Sequence, residues 1–334
     1  EIPSGEDGRL DLDALRAAVG DDTAAMMITN PSTLGIFEPE IAEAAEIVHA
    51  AGGQMYYDGA NFNAILGKTD PGRMGFDAVH YNLHNTFSQP HGGGGPGAGP
   101  IGVKKHLVPF LPDNPLRPKK EQTEEITGAL AGTDFGSPIV LLISWIYARM
   151  LGYAGMEKST LVSILNANYM KARLKDHYNC AFEGHHGLNA HEFIIDFNSE
   201  EFSSVNIKDK DVAKRLQDFG LHAGTMSWPI SNSMMFEPTE SESKEDIDFY
   251  CDALIKIREE IEMIRNGEFD IEDNPLKNAP HTREILMSDE WKFSYTREQA
   301  NPIKNKDYWP TVRRVQEEYG DQNLCTCDSM DRYE

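Results

Sequence analysis

The chain has 334 residues, with 31 Lys and Arg against 54 Asp and Glu, a formal net charge of −23. Its 40% apolar and 25% charged residues exclude a disordered chain, and the length suits about two domains with cores of their own. So acidic a surface repels phosphate backbones and excludes nucleic acid as a partner, since the densest basic cluster, 117–120, runs straight into Glu121, Glu124 and Glu125.

Asp11 is placed to cap a short helix carrying Leu12, Leu15 and Val19, which Gly20 ends. The apolar run 24–29 reads as a buried strand closed by Asn30-Pro31-Ser32. Ile41, Ala44, Ala45 and Val48 give 38–51 helical spacing, with Gly52-Gly53 as a stop. Residues 54–57 form a second strand with Asp58 just past its end, and 76–82 a third, with His84 and Asn85 at its exit. Strand, helix, strand, loop, strand predicts an α/β domain with a largely parallel sheet. Ligands of such sheets sit beyond the carboxyl ends of the strands, where Asn30, Asp58 and His84 fall.

Beyond Pro112 the pattern changes. Two long helices are expected at 137–151 and 156–177. The longest apolar run, 139–147, falls short of the ~20 residues that span a bilayer, so neither a transmembrane helix nor a membrane partner is expected. Strands follow at 191–197 and 233–236, and helices at 209–219 and 241–265. The expected division is 1–154, part of a large α/β domain; 155–266, a smaller α+β domain; and 267–334, an irregular extension over the surface. Cys180, Cys251, Cys325 and Cys327 are too few and scattered for a disulfide scaffold. No signal or transit pattern opens the chain, and Glu1 begins inside what reads as a domain, so a fragment is expected.

The most distinctive stretch is 90–102, PHGGGGPGAGPIG. Glycines free to take positive φ let backbone N–H groups converge on a phosphate, or simply form a tight loop at an interface or cofactor mouth. The Walker and Rossmann patterns both fail here: Lys104-Lys105 precedes His106, and the run opens no helix. Asp58, before Gly59, is either a turn-former or a carboxylate placed for a cationic ring nitrogen. Cys180, His185, His186 and His191 resemble metal ligands in number, but their spacing fits no structural zinc pattern, and no metal is expected. Cys325-Thr326-Cys327 is too tight for an ordinary bridge, and no G-x-S-x-G nucleophile elbow occurs.

Taken together, several motifs decide among these readings. The run Tyr57-Asp58-Gly59-Ala60-Asn61-Phe62-Asn63-Ala64-Ile65-Leu66-Gly67, then His84-Asn85-Thr86-Phe87 and Pro90-His91-Gly92-Gly93-Gly94-Gly95-Pro96-Gly97, resembles the glycine decarboxylase (P-protein) of the glycine cleavage system. The likeness continues through Ile164-Leu165-Asn166-Ala167-Asn168-Tyr169, Met226-Ser227-Trp228-Pro229, Glu237-Pro238-Thr239-Glu240-Ser241-Glu242 and Tyr319-Gly320-Asp321-Gln322-Asn323-Leu324. It implies a fold-type I pyridoxal phosphate enzyme with a large α/β domain, of which this chain holds the C-terminal part, and a small α+β domain. It implies decarboxylation of glycine and transfer of the aminomethyl group to the lipoyl arm of H-protein. A homodimer, or a complementary chain supplying the N-terminal part, is implied too. The compartment would be cytoplasmic in a bacterium and the mitochondrial matrix in a eukaryote.

The same resemblance implies roles for particular residues. Asp58 corresponds to the ring-nitrogen partner, Ala60 packs beneath the ring, His84 orients the anchor position and Thr86 donates toward phosphate. His91 with Gly92, Gly93, Gly94 and Gly95 borders the site mouth, and Asn30 and Ser32 lie on a substrate-side loop. One position departs from the family pattern: Asn85 stands where the Schiff-base lysine is expected. An amide nitrogen, its lone pair delocalised into the carbonyl, forms no imine. Impaired or absent activity follows, or a silent structural or regulatory role.

Overall fold

A computed structural model describes residues 1–92, 97–113, 128, 130, 136–303 and 308–324. Helix α1 (Leu12–Ala18) is capped as expected: Asp11 accepts the N–H groups of Asp13 and Ala14 at 3.0 and 2.9 Å. Strand β1 (Ala25–Thr29) leads to α2 (Ile41–Ala50), which buries Ile41, Ala44, Ala45 and Val48 along one face. The helix starts later than residue 38 because Pro39 interrupts the turn and Glu38 points inward, where its carboxylate accepts from Leu10 and Glu40. It ends as the glycines require: Gly52, at φ +86°, sends its N–H to His49, and Gly53 sends its own to Val48.

Strands β2 (Gln54–Gly59) and β3 (Ala78–Tyr81) continue the sheet, with the short helix α3 (Leu83–Thr86) and strand β4 (Ile101–Val103) after them. Their order is β1-β2-β3-β4, parallel through β3 and antiparallel at β4. Alternation along β2 puts Met55 and Tyr57 in the core with Leu15, Ile41, Val48 and Phe76, leaving Tyr56 and Asp58 on the opposite face. Asp58 lies inside β2 rather than just past it, in register with Thr29 and His80. Gly59 admits no side chain, since a Cβ there would stand 1.9 Å from the carbonyl oxygen of His80.

Asp77 fixes where β3 enters this sheet. Its buried carboxylate accepts from the Met55 N–H at 2.8 Å, His49 Nε2 at 2.6 Å and Lys104 Nζ at 3.0 Å. Burial pushes this carboxyl up, but the three donors outweigh burial and hold it below the usual range. Truncation in Asp77→Ala strands the donors, and urea unfolding is expected to show a loss of about 2–3 kcal/mol. A loss below about 0.5 kcal/mol would mean the donors find water at no cost.

Helix α4 (Pro138–Leu174) breaks at Gly152, whose φ of 60° and ψ of −175° are not helical, so the two expected helices form as two arms. The first arm exposes Ile139, Leu142, Trp145 and Met150, and Tyr153 is exposed just past the break. An 18-residue window of α4 reaches mean hydropathy 1.5 with only 6% of it buried, long and apolar enough to cross a membrane. That window runs across the break at Gly152, because the arm before it is shorter than 18 residues, so length and composition here do not amount to one continuous spanning helix. Strands β5 (Asn179–Cys180) and β6 (Phe193–Asp196), helices α5 (Glu200–Ser203) and α6 (Asp209–Asp218), strands β7 (Thr225–Met226) and β8 (Ser233–Phe236) and helix α7 (Lys244–Arg265) follow. The second sheet has the order β5-β6-β8-β7.

By compactness the chain forms two units, Glu1–Ile195 with Met235–Asp248, and Asp196–Met234 with Phe249–Glu334. These bounds differ from the sequence division at 154 and 266, for a physical reason. Thr160 donates to the Asn63 carbonyl at 2.6 Å, and Tyr169 and Arg173 both donate to Asp248 at 2.6 Å, so 155–195 is held to the first unit.

In the second unit α6 buries Val212, Arg215 and Leu216, and α7 buries Leu254, Ile257 and Ile261. The tail is not a surface wrapping throughout. Helices α8 (Pro275–Asn278), α9 (Arg283–Met287), α10 (Arg297–Ala300) and α11 (Glu317–Gln322) punctuate it, and Leu276, Ala279, His281 and Ala300 are fully buried. What draws them in is Arg215, whose five N–H donors are all used: two on Glu260, one on Asp218, and two on the carbonyls of Gln299 and Ala300.

Candidate cofactor site at the strand ends

The carboxyl ends of β2 and β3 carry three side chains in contact, Tyr56, His80 and Asp58. His80 is the register partner of Asp58 across β2 and β3, and Tyr56 shares the Asp58 face two residues earlier. The Tyr56 hydroxyl lies 3.0 Å from His80 Nδ1, and His80 Nε2 lies 3.3 Å from Asp58 Oδ1. With the proton on Nε2, the ring accepts from tyrosine through Nδ1 and sets Nε2 against the carboxylate at ion-pair distance. The Ala60 N–H donates to the same Asp58 oxygen at 3.0 Å. Both contacts fall on Oδ1, the Ala60 N–H as a donor and His80 at ion-pair distance, which leaves Oδ2 for a cationic group, while Asp58 remains part-exposed.

Helix α3 brings Asn85 over the same strand end. Asn85 is exposed, and its amide Nδ2 donates to the Ala60 carbonyl at 3.1 Å. Next to it Thr86 is buried, and its hydroxyl has no hydrogen-bond partner. A buried hydroxyl rarely goes unsatisfied, so Thr86 fits a site awaiting an oxygen acceptor such as phosphate. The rings of His84 and His91, both exposed, meet edge to face with centroids 4.7 Å apart. Partial burial and then the neighbouring His91 lower the His84 pKa, which favours a neutral ring. Gly92 takes φ +62°, whereas Gly93, Gly94 and Gly95, like Cys325 and Cys327, lie outside the described residues.

The structure therefore gathers Asp58, Ala60 and Asn85, with Thr86 following Asn85 in α3. Asn30 does something else. Fully buried, it binds both the N–H and the carbonyl of Glu38 through its amide, and its own carbonyl accepts from Tyr57 at 2.6 Å. A side chain so engaged braces the loop from within rather than facing a substrate. Ser32 keeps a buried hydroxyl with no hydrogen-bond partner. Sequence reading missed His80 and Tyr56. The usable signal was period two, because parallel pairing of two strands ending on adjacent polar residues sets a histidine beside the aspartate.

Among the described residues, the Cys180, His185, His186 and His191 set does not assemble. Cys180 Sγ turns to the Phe182 carbonyl at 3.2 Å, and the rings of His185 and His186 pack on each other. His191 instead faces Glu192 and Glu237, its Nε2 lying 3.8 and 3.6 Å from their Oε1 atoms. Complete burial lowers the His191 pKa to about 3, so the imidazole is neutral.

Residues 159–281 match a family described as glycine dehydrogenase, C-terminal domain. Nearly the whole chain is similar in sequence to the C-terminal part of longer curated proteins. A glycine dehydrogenase (decarboxylating) of Christiangramia forsetii is 50% identical over 98% of the chain, and one of Vibrio parahaemolyticus is 48% identical over 98%. The chain spans 35% of the length of each of these curated relatives. Among solved structures, an inhibitor-bound glycine decarboxylase (P-protein) of the glycine cleavage system superposes with a TM-score of 0.57 at 20% identity, covering 76% of this chain and 57% of that one. This likeness carries the fold: the mixed α/β architecture is the fold-type I arrangement that the glycine dehydrogenase resemblance implied.

Proposed function

We propose that this chain is part of a pyridoxal phosphate-dependent glycine dehydrogenase (decarboxylating), which releases the glycine carboxyl as CO2 and passes the aminomethyl group to the lipoyl arm of H-protein. The observation that carries this reading is the Asp58 carboxylate, fixed by His80 and the Ala60 N–H at the end of β2. Pyridoxal phosphate, when bound, supplies a ring that takes up the electron pair left by decarboxylation. Asp58 would keep the ring nitrogen protonated, with His80 and Tyr56 beside it to hold the carboxylate in place, and the unpartnered Thr86 hydroxyl would be a donor for the phosphate. His84, neutral at physiological pH, is free to accept a proton near position 85.

Asn85 removes the amine that would hold the cofactor covalently. Its amide donates to the Ala60 carbonyl instead, so retention rests on phosphate, ring and Asp58 contacts. This favours a second reading beside the first: a catalytically silent copy that keeps the family fold in a structural or regulatory role.

The test is equilibrium dialysis of the full-length polypeptide with pyridoxal phosphate. Asp58→Ala is expected to weaken retention by roughly 10–100-fold, the scale of a lost charge-assisted hydrogen bond. Unchanged retention in Asp58→Ala would remove the ring-nitrogen role and the cofactor assignment built on it.

A further inference from the structure

The first unit contains a polar cluster that no step above uses. His191 is completely buried and neither ring nitrogen has a hydrogen-bond partner, an unusual state for an interior imidazole. Its Nε2 points at two carboxylates, Glu192, which is 1% exposed, and Glu237, which is part-exposed on one side. Both gaps, 3.8 and 3.6 Å, are too long for hydrogen bonds. They are close to the separation of about 3.4 Å between two ligand atoms of a tetrahedral cation with 2.1 Å bonds. The three ligand atoms all lie within 4.8 Å of one another, so side-chain adjustments of about 1 Å close the set.

We propose that His191, Glu192 and Glu237 form a binding site for a divalent transition cation of the zinc type, one imidazole and two carboxylates serving as ligands. Second-layer groups already hold the ligand oxygens. Asn61 Nδ2 donates to Glu192 Oε1 and Asn63 Nδ2 to Glu237 Oε1, each at 3.1 Å. Such partners orient first-layer carboxylates, and losing one commonly costs 10–100-fold in metal affinity. Three protein ligands leave a position open to water, and the exposed side of Glu237 provides the entry. Because Asn61 and Asn63 follow Ala60 directly, a cation here would pin the segment leaving β2 to the residues before β6 and after β8. The geometry of this cluster is independent of the pyridoxal phosphate reading.

The full-length polypeptide, dialysed against chelator, is titrated with Co2+ and read by visible d–d absorption. One equivalent is expected to give a band that Zn2+ abolishes by displacement. Glu237→Gln, a change at a part-exposed side chain that leaves the fold intact, is expected to weaken Co2+ binding at least tenfold, and His191→Ala to abolish the band. Glu242→Gln, on the surface nearby, is expected to change nothing. Absence of a stoichiometric band, or equal affinity in the parent and Glu237→Gln, would overturn the proposal and leave the cluster as one buried and one exposed acid beside a neutral imidazole.

Discussion

In Asn85→Lys, borohydride is expected to fix pyridoxal phosphate onto residue 85 of the full-length protein, whereas the Asn85 parent yields no adduct there. Peptide mass spectrometry reads this without any need for turnover. Release of labelled CO2 from glycine, with lipoylated H-protein present, should rise by about 10²–10⁴-fold, the range that a positioned acid–base group supplies. The geometry favours the change. Asn85 is exposed on α3 and already reaches over the end of β2 to Ala60, so a longer side chain has open space beside Asp58. A fixed adduct on Lys104 or Lys105 in the parent would show that the anchor lies elsewhere. No adduct in either protein would end the assignment of position 85.

The largest stability effect is expected at Arg215. In Arg215→Met, the second unit should lose about 3–5 kcal/mol in chemical denaturation, because Glu260 and Asp218 remain buried with no cation to face. That figure measures the cost of leaving charges unpaired, not the net worth of the ion pairs, since replacing the whole group with apolar residues can be neutral. Lysine would not rescue it, having three donors where Arg215 uses five in a fixed plane. The acid limb should report the same network. Burial pushes the Asp218 carboxyl up, but His281 and Arg215 outweigh burial and hold it below its ordinary value. A carboxyl depressed on folding adds stability that is full above its unfolded pKa of about 4 and is lost as pH falls through the folded value. Arg215→Met should therefore flatten the loss of stability below about pH 4. A loss under 1 kcal/mol with an unchanged acid limb would show that the network is replaceable by water.

Much of this molecule was legible in its residues because local rules and the fold agree. The Asp11 cap, the spacing of Ile41, Ala44, Ala45 and Val48, and the Gly52-Gly53 stop are short-range signals, and each forms as expected. The strand ends that gather Asp58 and Asn85 follow from parallel topology, which was also readable. What escaped depends on contacts between residues far apart in the chain. Nothing near His80 announces Asp58, 22 residues earlier, and only the register of two strands pairs them. His191 was visible, but Glu237 reaches it from a stretch 46 residues further on, so counting it with Cys180, His185 and His186, a set whose spacing already fitted no metal pattern, gave no sign of its carboxylate neighbours. Asn30 failed for the opposite reason: its position at a strand end was right, while its side chain turned inward to satisfy Glu38. The tail beyond 266 looked irregular because its helices are short and part of its order comes from α6, where Arg215 binds the carbonyls of Gln299 and Ala300 and Asp218 binds His281.

The first unit is not contiguous: the chain leaves it at Ile195 and returns at Met235 to supply Glu237, Glu240 and Asp248. Those residues accept from Asn63, from Tyr147 and Ser163, and from Tyr169 and Arg173. On a translating ribosome this unit must wait, half-built, until the returning stretch emerges. A nascent chain arrested anywhere before residue 235 would hold Arg173 and Tyr169 without Asp248, so its completion is gated by synthesis of the excursion and not by the order in which its own strands appear.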